Sequence, residues 1–357
     1  MTVRSLTGRL RATLHRDAVE TLLPAWEELF ASDDRATPFQ SPSWGRAWWR
    51  WWGDDAQPWT VAVWDAGELI GLAPFASRRT HSMRVLRVLG EEPGDYWDIL
   101  ALPDRRVEVE QAVAAELYRR RDQWDAIVIS RLPANSTTPE AFASAGLRTR
   151  LRAETVYPGM GLPSTWDAYL ETLTSKARTN TRRRLRTLDD GELEVREPSV
   201  AELPQVFHRW QDIRIRQWRN RGRELIAEHA SDRFREFLVD VAAALAAEKL
   251  VAVWEFLRGG DVVGSYVNFC DRRAFYQYLG GYEPELGSLG IGRLATIHGI
   301  RCSIASGRRY YDFARGGEAY KYSFGAVDHV SPTVVVTSSR ARSRGALFGG
   351  LLTGRLS

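Results

Sequence analysis

Between Leu250 and Ala326 the chain reads as strand, tight turn, strand, strand, glycine-rich turn, helix, strand and polar loop, and this order leaves few folds open. The pieces are LVAVWEFL, RGGD, VVGSYVNF, AFYQYLGGY, GSLGIG, RLATIHGIRCSIAS, RRYYDF and ARGGEAYKYSFGA. Apolar runs of strand length joined by a glycine turn are hairpin signals. A glycine turn that opens a helix is also a place to hold phosphate.

The chemistry of that turn follows from elementary properties. Gly287, Gly290 and Gly292 remove side chains, so backbone can approach a ligand. The first amides of the next helix lack internal partners, and the helix dipole adds positive potential. Together they make an anion site, with Leu289, Ile291 and Arg293 as its flanking contacts. The plainer reading is a tight bend and nothing more. Gly290-Ile291-Gly292-Arg293-Leu294-Ala295 also matches a dinucleotide fingerprint, with Asp312 at ribose-binding distance. Its context opposes that reading. The preceding strands are hairpin-built, and too little chain follows Asp312 for a doubly wound sheet.

With 357 residues the chain is long enough for two domains. A hydrophobic fraction of 44% supports a sizeable core, and a net charge of +4 does not by itself indicate a nucleic-acid binder, so no DNA partner is expected. Cys270 and Cys302 form no CxxC pattern, and the 6 histidines show no HxH or HExxH spacing, so no metal site is expected. Both cysteines read as buried packing. The stretch MTVRSLTGRLRATLHRD has no signal-type apolar core, and no run approaches a membrane span of about 20 apolar residues, so a cytoplasmic location is expected. Trp44, Trp48 and Trp52 share one face of a helix starting after Ser43. That stripe is core packing or, alternatively, a pocket wall.

The pattern predicts helices at 17–31, 44–52, 105–121 and 138–145 in a first half, with strands at WTVAVW, ELIGLAPF, 84–89, 96–102, 125–130 and 147–156. The second half carries helices near 164–173, 175–188, 201–219 and 231–247, a strand at 192–197, the region described above, and a last strand, PTVVVT. The halves echo each other: AVWDAGELIG and AVWEFLRGGDVVG each read strand, glycine turn, strand, and each is followed by strands, a helix and a buried strand. The expectation is two copies of one α/β unit, residues 1–161 and 162–340, plus a basic and apolar tail at 341–357 able to make a weak membrane-surface contact.

These motifs, taken in order, resemble the CelD-type, BioF2-like branch of the GNAT acyltransferase superfamily, which is related to the Fem-type aminoacyl transferases. TPFQSPSWGRAWW, GDYWDIL, SKARTNTRRRLRTL, RQWRNRG, YLGGYEPELGSLGIG and YYDFARGGEAYKYSFG carry the resemblance. It implies an α/β (α+β) fold of two tandem GNAT-like domains, each a mixed, mostly antiparallel sheet flanked by helices. It also implies an acyl-CoA donor and an amine or hydroxyl acceptor, a small molecule or glycan-type precursor. Tyr278, Leu279 and Gly280 would then lie along the donor, and a splayed strand there would offer an amide to the oxyanion. Gln40 falls in the opening motif as an acceptor contact. The sequence departs from the pattern at Gly287, where the turn usually begins with Gln or Arg, and at Gly317, where an acidic residue is common. An aminoacyl-tRNA donor, and a non-catalytic scaffold of envelope assembly, stay open beside the acyl-CoA reading.

Four side chains, Asp312 within RRYYDF and three after it, bear proton-transfer chemistry. Tyr320 or Lys321 would line the cleft, and Asp312 or Glu318 would orient or deprotonate the acceptor, with Arg315 beside them. The alternative is a Glu318–Lys321 or Asp312–Arg315 pair that only fixes the loop. Tyr96 and Asp98, two apart in an expected strand, share one face and are candidate acceptor ligands, or an ordinary exposed face. Trp218 with Arg221 forms a stacking wall or packs in the core. Arg178, Arg182 and Arg186 share a helix face that could meet phosphates of coenzyme A, tRNA or an anionic glycan or lipid, or simply water.

Overall fold

The computed structural model describes residues 10–16, 19–80 and 83–338. It falls into two compact units, Met1–Thr155 with Val330–Ser357, and Val156–His329. The division lies inside one long strand, and the last described strand returns to the first unit. The tail at 341–357 is outside the described residues.

The first unit contains β1 (Arg11–His15), α1 (Leu23–Ser32), α2 (Pro42–Trp52), β2 (Gln57–Asp65), β3 (Glu68–Thr80), β4 (Met83–Val88), β5 (Leu100–Ala101), α3 (Arg106–Arg119), β6 (Ala126–Ile129), α4 (Thr138–Ser144) and the start of β7 (Arg148–Gly161). Its strands run β1-β2-β3-β4-β6, with β5 on β3. Two helix starts differ from expectation for one reason. Pro24 and Pro42 lack the N–H that helix interiors need, so α1 begins only at Leu23 and α2 at Pro42, with Ser41 and not Ser43 as its cap. Trp44 and Trp48 are buried and donate their indole N–H to the carbonyls of Gly90 and Glu92, so these two of the stripe are core, while Trp52 is half-buried.

The second unit contains the end of β7, then α5 (Trp166–Thr172), α6 (Ser175–Asp189), β8 (Glu194–Arg196), α7 (Leu203–Asn220), α8 (Asp232–Ala247), β9 (Val251–Arg258), β10 (Asp261–Cys270), β11 (Ala274–Tyr282), α9 (Ile291–Ala305), β12 (Tyr310–Asp312) and α10 (Ala319–Tyr322). The strand order is β7-β12-β11-β10-β9-β8. The last described strand, β13 (Val327–Thr337), pairs Val334–Thr337 antiparallel with β6.

The internal echo is structural. In each unit a hairpin (β2–β3, β9–β10) turns through two residues with positive φ, Ala66-Gly67 and Gly259-Gly260, the geometry that matches strand twist. A third antiparallel strand follows (β4, β11), then a helix (α3, α9), then a strand parallel to the third (β6, β12).

In the second unit α7 packs on β10 and β11, and α9 packs on β11 with α5 and α6 against it. Neighbouring strand residues point to opposite faces, so Gly281 meets Arg214 and Ile213 of α7 while Gly280 meets Tyr266 and its neighbours near α9. Tyr169, Leu185, Trp254, Phe275, Ile291, Leu294 and Tyr311 are among the buried residues of the α9-side core.

Candidate active site

The expected strand at 96–102 shrinks to β5, because Tyr96 adopts φ 58 and turns the backbone aside. Tyr96 and Asp98 therefore share no strand face. The Asp98 carboxylate accepts from the Ile99 N–H at 2.8 Å and the Thr138 hydroxyl at 2.7 Å, and burial raises its pKa against those bonds. Gln40 is buried, takes the Thr37 N–H and donates to the Asp98 carbonyl. Arg106 nearby is paired with Asp33 at 2.6 Å. Gln40 and Asp98 thus belong to a buried polar network of the first unit, whose hydrogen bonds are internal.

The second unit holds an opening between strands. β12 pairs in parallel with β11 only at Ala274–Tyr310, Phe275–Tyr311 and Tyr276–Asp312. Beyond Tyr276, among the described residues, no strand pairs with Gln277–Tyr282 on that edge. On the other edge the β10–β11 register shifts between Val267 and Phe269, where Gln277 and Tyr278 together face Asn268. Such a bulge re-aims backbone groups. The candidate donor residues Tyr278, Leu279 and Gly280 lie along this edge.

The turn that follows β11 is built differently from the three-glycine reading. A 3-10 segment, Pro284–Leu289, ends at Gly290, which takes φ 68 and starts α9. A Cβ there would also fall 2.6 Å from the Arg184 guanidinium carbon. Arg184 reaches from α6 and donates to the carbonyls of Ser288 and Leu289. At Gly287 a Cβ would meet only Tyr282 at 3.9 Å, so no internal contact requires glycine there. Gly280 is bare for packing: a Cβ would lie 2.3 Å from the Tyr266 ring. At Gly292 the same test gives 3.3 Å to Tyr282 and 3.6 Å to the Tyr266 hydroxyl. Among the described residues the N–H groups of Ile291 and Gly292 find no acceptor, and those of Arg293 and Leu294 return to the Gly290 carbonyl.

Sequence reasoning missed Gln277, which organises the site. Its amide donates to the Tyr320 hydroxyl at 3.3 Å, and its carbonyl oxygen accepts from Tyr311 at 3.0 Å and lies 3.1 Å from the Thr296 hydroxyl. Tyr320 is 37% exposed, and burial, then the charge of Glu318, pushes its pKa up to about 12. Tyr266 is buried with an unpartnered hydroxyl, and burial raises its pKa strongly. Across β11, Arg214 donates to Gln217 at 2.8 Å and sits over the Trp218 ring at 5.7 Å. Trp218 therefore stacks with Arg214, one turn earlier, and Arg221 is exposed at the end of α7. A polar Gln within an aromatic strand was the only available signal.

The loop after β12 is pinned from within. Lys321 is buried, and its ammonium donates to the carbonyls of Ala314 at 3.0 Å and of Arg315 and Gly316 at 2.8 Å, and pairs with Glu318 at 2.8 Å. Buried Asp312 accepts from the Ala314 N–H at 2.7 Å, while the Arg315 side chain is at the surface. Of the four proton-transfer candidates, the loop-fixing alternative describes Lys321 and Glu318, and Tyr320 is the one that faces the strand opening through Gln277. Cys270 is buried, with its thiol pushed up to about 11. Cys302 is half-buried beside His298 and packs against the edge of the core, where it lines a groove with Leu188 and Arg301. Among the described residues, no helix is long and apolar enough to cross a membrane.

Residues 175–322 match the family described as the Acetyltransferase (GNAT) domain. Among solved structures, FemX aligns with a TM-score of 0.67 at 10% identity, over 93% of this chain and 99% of that one. The C-terminal DUF2156 domain of a putative lysylphosphatidylglycerol synthetase from Agrobacterium fabrum aligns at 0.52 and 9% identity, over 94% and 98%. A conserved protein of unknown function from Bacteroides thetaiotaomicron aligns at 0.53 and 9%, over 92% and 100%. No curated protein matches the chain by sequence. At these identities the likeness is one of fold. The repeated hairpin, strand, helix and strand of the two units is the two-domain GNAT-like architecture expected from the sequence. Residues 175–322 are thus a GNAT domain, in a chain whose fold is similar to that of FemX.

Proposed function

We propose that the protein is an acyltransferase that moves an acyl group from acyl-CoA to an amine or hydroxyl of a small molecule or glycan-type precursor. The observation that carries this reading is the opening between β11 and β12 past Tyr276–Asp312, with a bulge at Gln277–Tyr278 and α9 starting immediately after β11's turn. A donor laid along the free edge of β11 would put its carbonyl near unpaired strand amides and its phosphates near the N–H groups of Ile291 and Gly292. The acceptor attacks the thioester carbonyl directly. The C–S bond breaks as the C–N or C–O bond forms, the acceptor's proton leaves to solvent or a nearby carboxylate, and the thiolate takes the Tyr320 proton. Held near 12, that phenol is protonated at neutral pH and serves as an acid, not a base. Neither cysteine is a nucleophile here, because burial raises both thiols.

Calorimetric titration with acetyl-CoA and a longer acyl-CoA tests the donor. Saturable binding, with thiol release once an amine acceptor is supplied, is expected. Failure to bind either donor overturns the reading. A second reading, transfer from aminoacyl-tRNA, is favoured by the FemX-like fold and the arginines of α6. Binding of charged tRNA in place of acyl-CoA would select it.

A further inference from the structure

Helix α7 carries two kinds of arginine. Arg209 and Arg216 each hold a carboxylate, Glu255 at 2.7 Å and Glu283 at 2.6 Å. Among the described residues, Arg214 and Arg221 hold none. Arg214, Trp218 and the capping Arg221 are spaced four and three apart, on one helix face.

Arg214 is half-buried where β11 leaves room for it. A Cβ at Gly281 would fall 2.8 Å from the Arg214 Cδ, so the side chain lies directly on the strand. That part of β11, Gln277–Tyr282, is the part whose edge is open. Arg214 reaches it from the α7 face, opposite α9.

The guanidinium is poorly satisfied from within. Its Nη1 donates to Gln217 at 2.8 Å, and among the described residues Nη2 has no acceptor. Nε is buried without an acceptor, and so is the indole nitrogen of Trp218. Buried donors are normally paired, and a half-buried charge with no counter-charge is costly. The surrounding charges agree. Burial and then the charge of Arg221 lower the pKa of Arg214, and the groups acting against them are three phenols, Tyr266, Tyr282 and Tyr320, not a carboxylate. Tyr320 is the proposed acid, so the guanidinium acts within electrostatic reach of the reaction centre. Its outer end presents two parallel N–H groups, the fork that one carboxylate matches.

We propose that Arg214 binds the carboxylate of the acceptor, which makes the acceptor an acidic amine of amino-acid type and not a neutral amino sugar. This deepens the acyl-transfer reading and rests on it. With the donor's phosphates at the start of α9, the acceptor enters on the α7 face. Anchoring its carboxylate on Arg214 leaves its amine free to reach the thioester beside Tyr320. Trp218 stacks on the guanidinium and holds it against the strand. Arg214 is a specificity residue and moves no proton.

The test uses the full chain, with and without saturating coenzyme A. The probes are the common N-acetylated amino acids, the expected products, and their matched amides, which lack only the carboxylate charge. Saturation-transfer NMR finds the binders and titration ranks them. At least one acid should bind, and its amide at least about tenfold more weakly, the scale of one charge-assisted bond. Arg214→Met should weaken the acid at least about tenfold and the amide less than about twofold. Arg219→Met removes an equal charge from an exposed position of α7 and should change either by less than about twofold. If Arg214→Met does not fold, Arg214→Lys takes its place, because a point charge cannot reproduce the fork. No acid bound, acid and amide bound alike, or equal losses in Arg214→Met and Arg219→Met would each overturn the proposal. The donor is read separately, by titration with acetyl-CoA. Carboxylate-dependent binding without acetyl-CoA binding keeps Arg214 as the acceptor's anchor and overturns the donor reading. Acetyl-CoA binding without carboxylate-dependent binding does the reverse.

Discussion

The Gln277 side-chain amide donates to the Tyr320 hydroxyl at 3.3 Å, so the strand that opens away from β12 carries the residue that orients the phenol. Tyr320→Phe should fold normally and lose turnover by roughly 10²–10⁴-fold, the usual contribution of a positioned acid. Because Tyr320 ionises only near pH 12, no alkaline loss of kcat below about pH 10 should trace to it. An alkaline limb at pH 8–9 that disappears in Tyr320→Phe would contradict this assignment.

Lys321 is expected to act on stability before chemistry. Lys321→Met strips the carbonyls of Ala314, Arg315 and Gly316 of their shared donor. A hydrogen bond to a charged group contributes about 1.5–3 kcal/mol, so a loss of at least about 2 kcal/mol is expected in urea unfolding. Lys321→Arg should not restore it, because a planar fork cannot reproduce one ammonium among three oxygens. A stable Lys321→Met protein without activity would return the ammonium to the chemistry.

The glycines separate by what surrounds them. Gly280→Ala should cost about 1–3 kcal/mol, because its methyl would press into the Tyr266 ring. Most of that penalty should vanish in a Tyr266→Ala background, the coupling that a double-mutant cycle measures. Gly287→Ala should stay within about 0.5 kcal/mol of wild type. Similar unfolding midpoints for both single variants would refute the packing role of Gly280.

His298 sets an acid dependence. Burial, then the charge of Arg301, lowers its pKa from 6.5 to about 4, and its ring meets Trp254 edge-on at 4.6 Å. Between those two values the unfolded chain binds the extra proton, so stability rises with pH there. The contribution is complete above about pH 6.5 and is lost as pH falls toward about 4. Urea midpoints measured from pH 7 to pH 4 should fall less steeply for His298→Gln than for wild type. Parallel slopes would show that His298 titrates alike in both states.

What the sequence by itself determined is local. Glycine turns placed both hairpins, since Gly259, Gly260 and Gly67 take positive φ at no steric cost. Alternation and helical period placed most strands and helices, and the internal echo followed from their order. Gly290 was legible as a turn because only its backbone was at issue. The tertiary structure decided which side chains meet. Gln277 joins Thr296, Tyr311 and Tyr320, which lie 19, 34 and 43 residues away. Lys321 turned inward to its own loop, Trp218 stacked with Arg214, and Gln40 bonded across 58 residues to Asp98. Each outcome depends on where a distant strand or helix lies, and on a buried polar group taking whatever partner is in reach. No periodicity along the chain encodes that geometry.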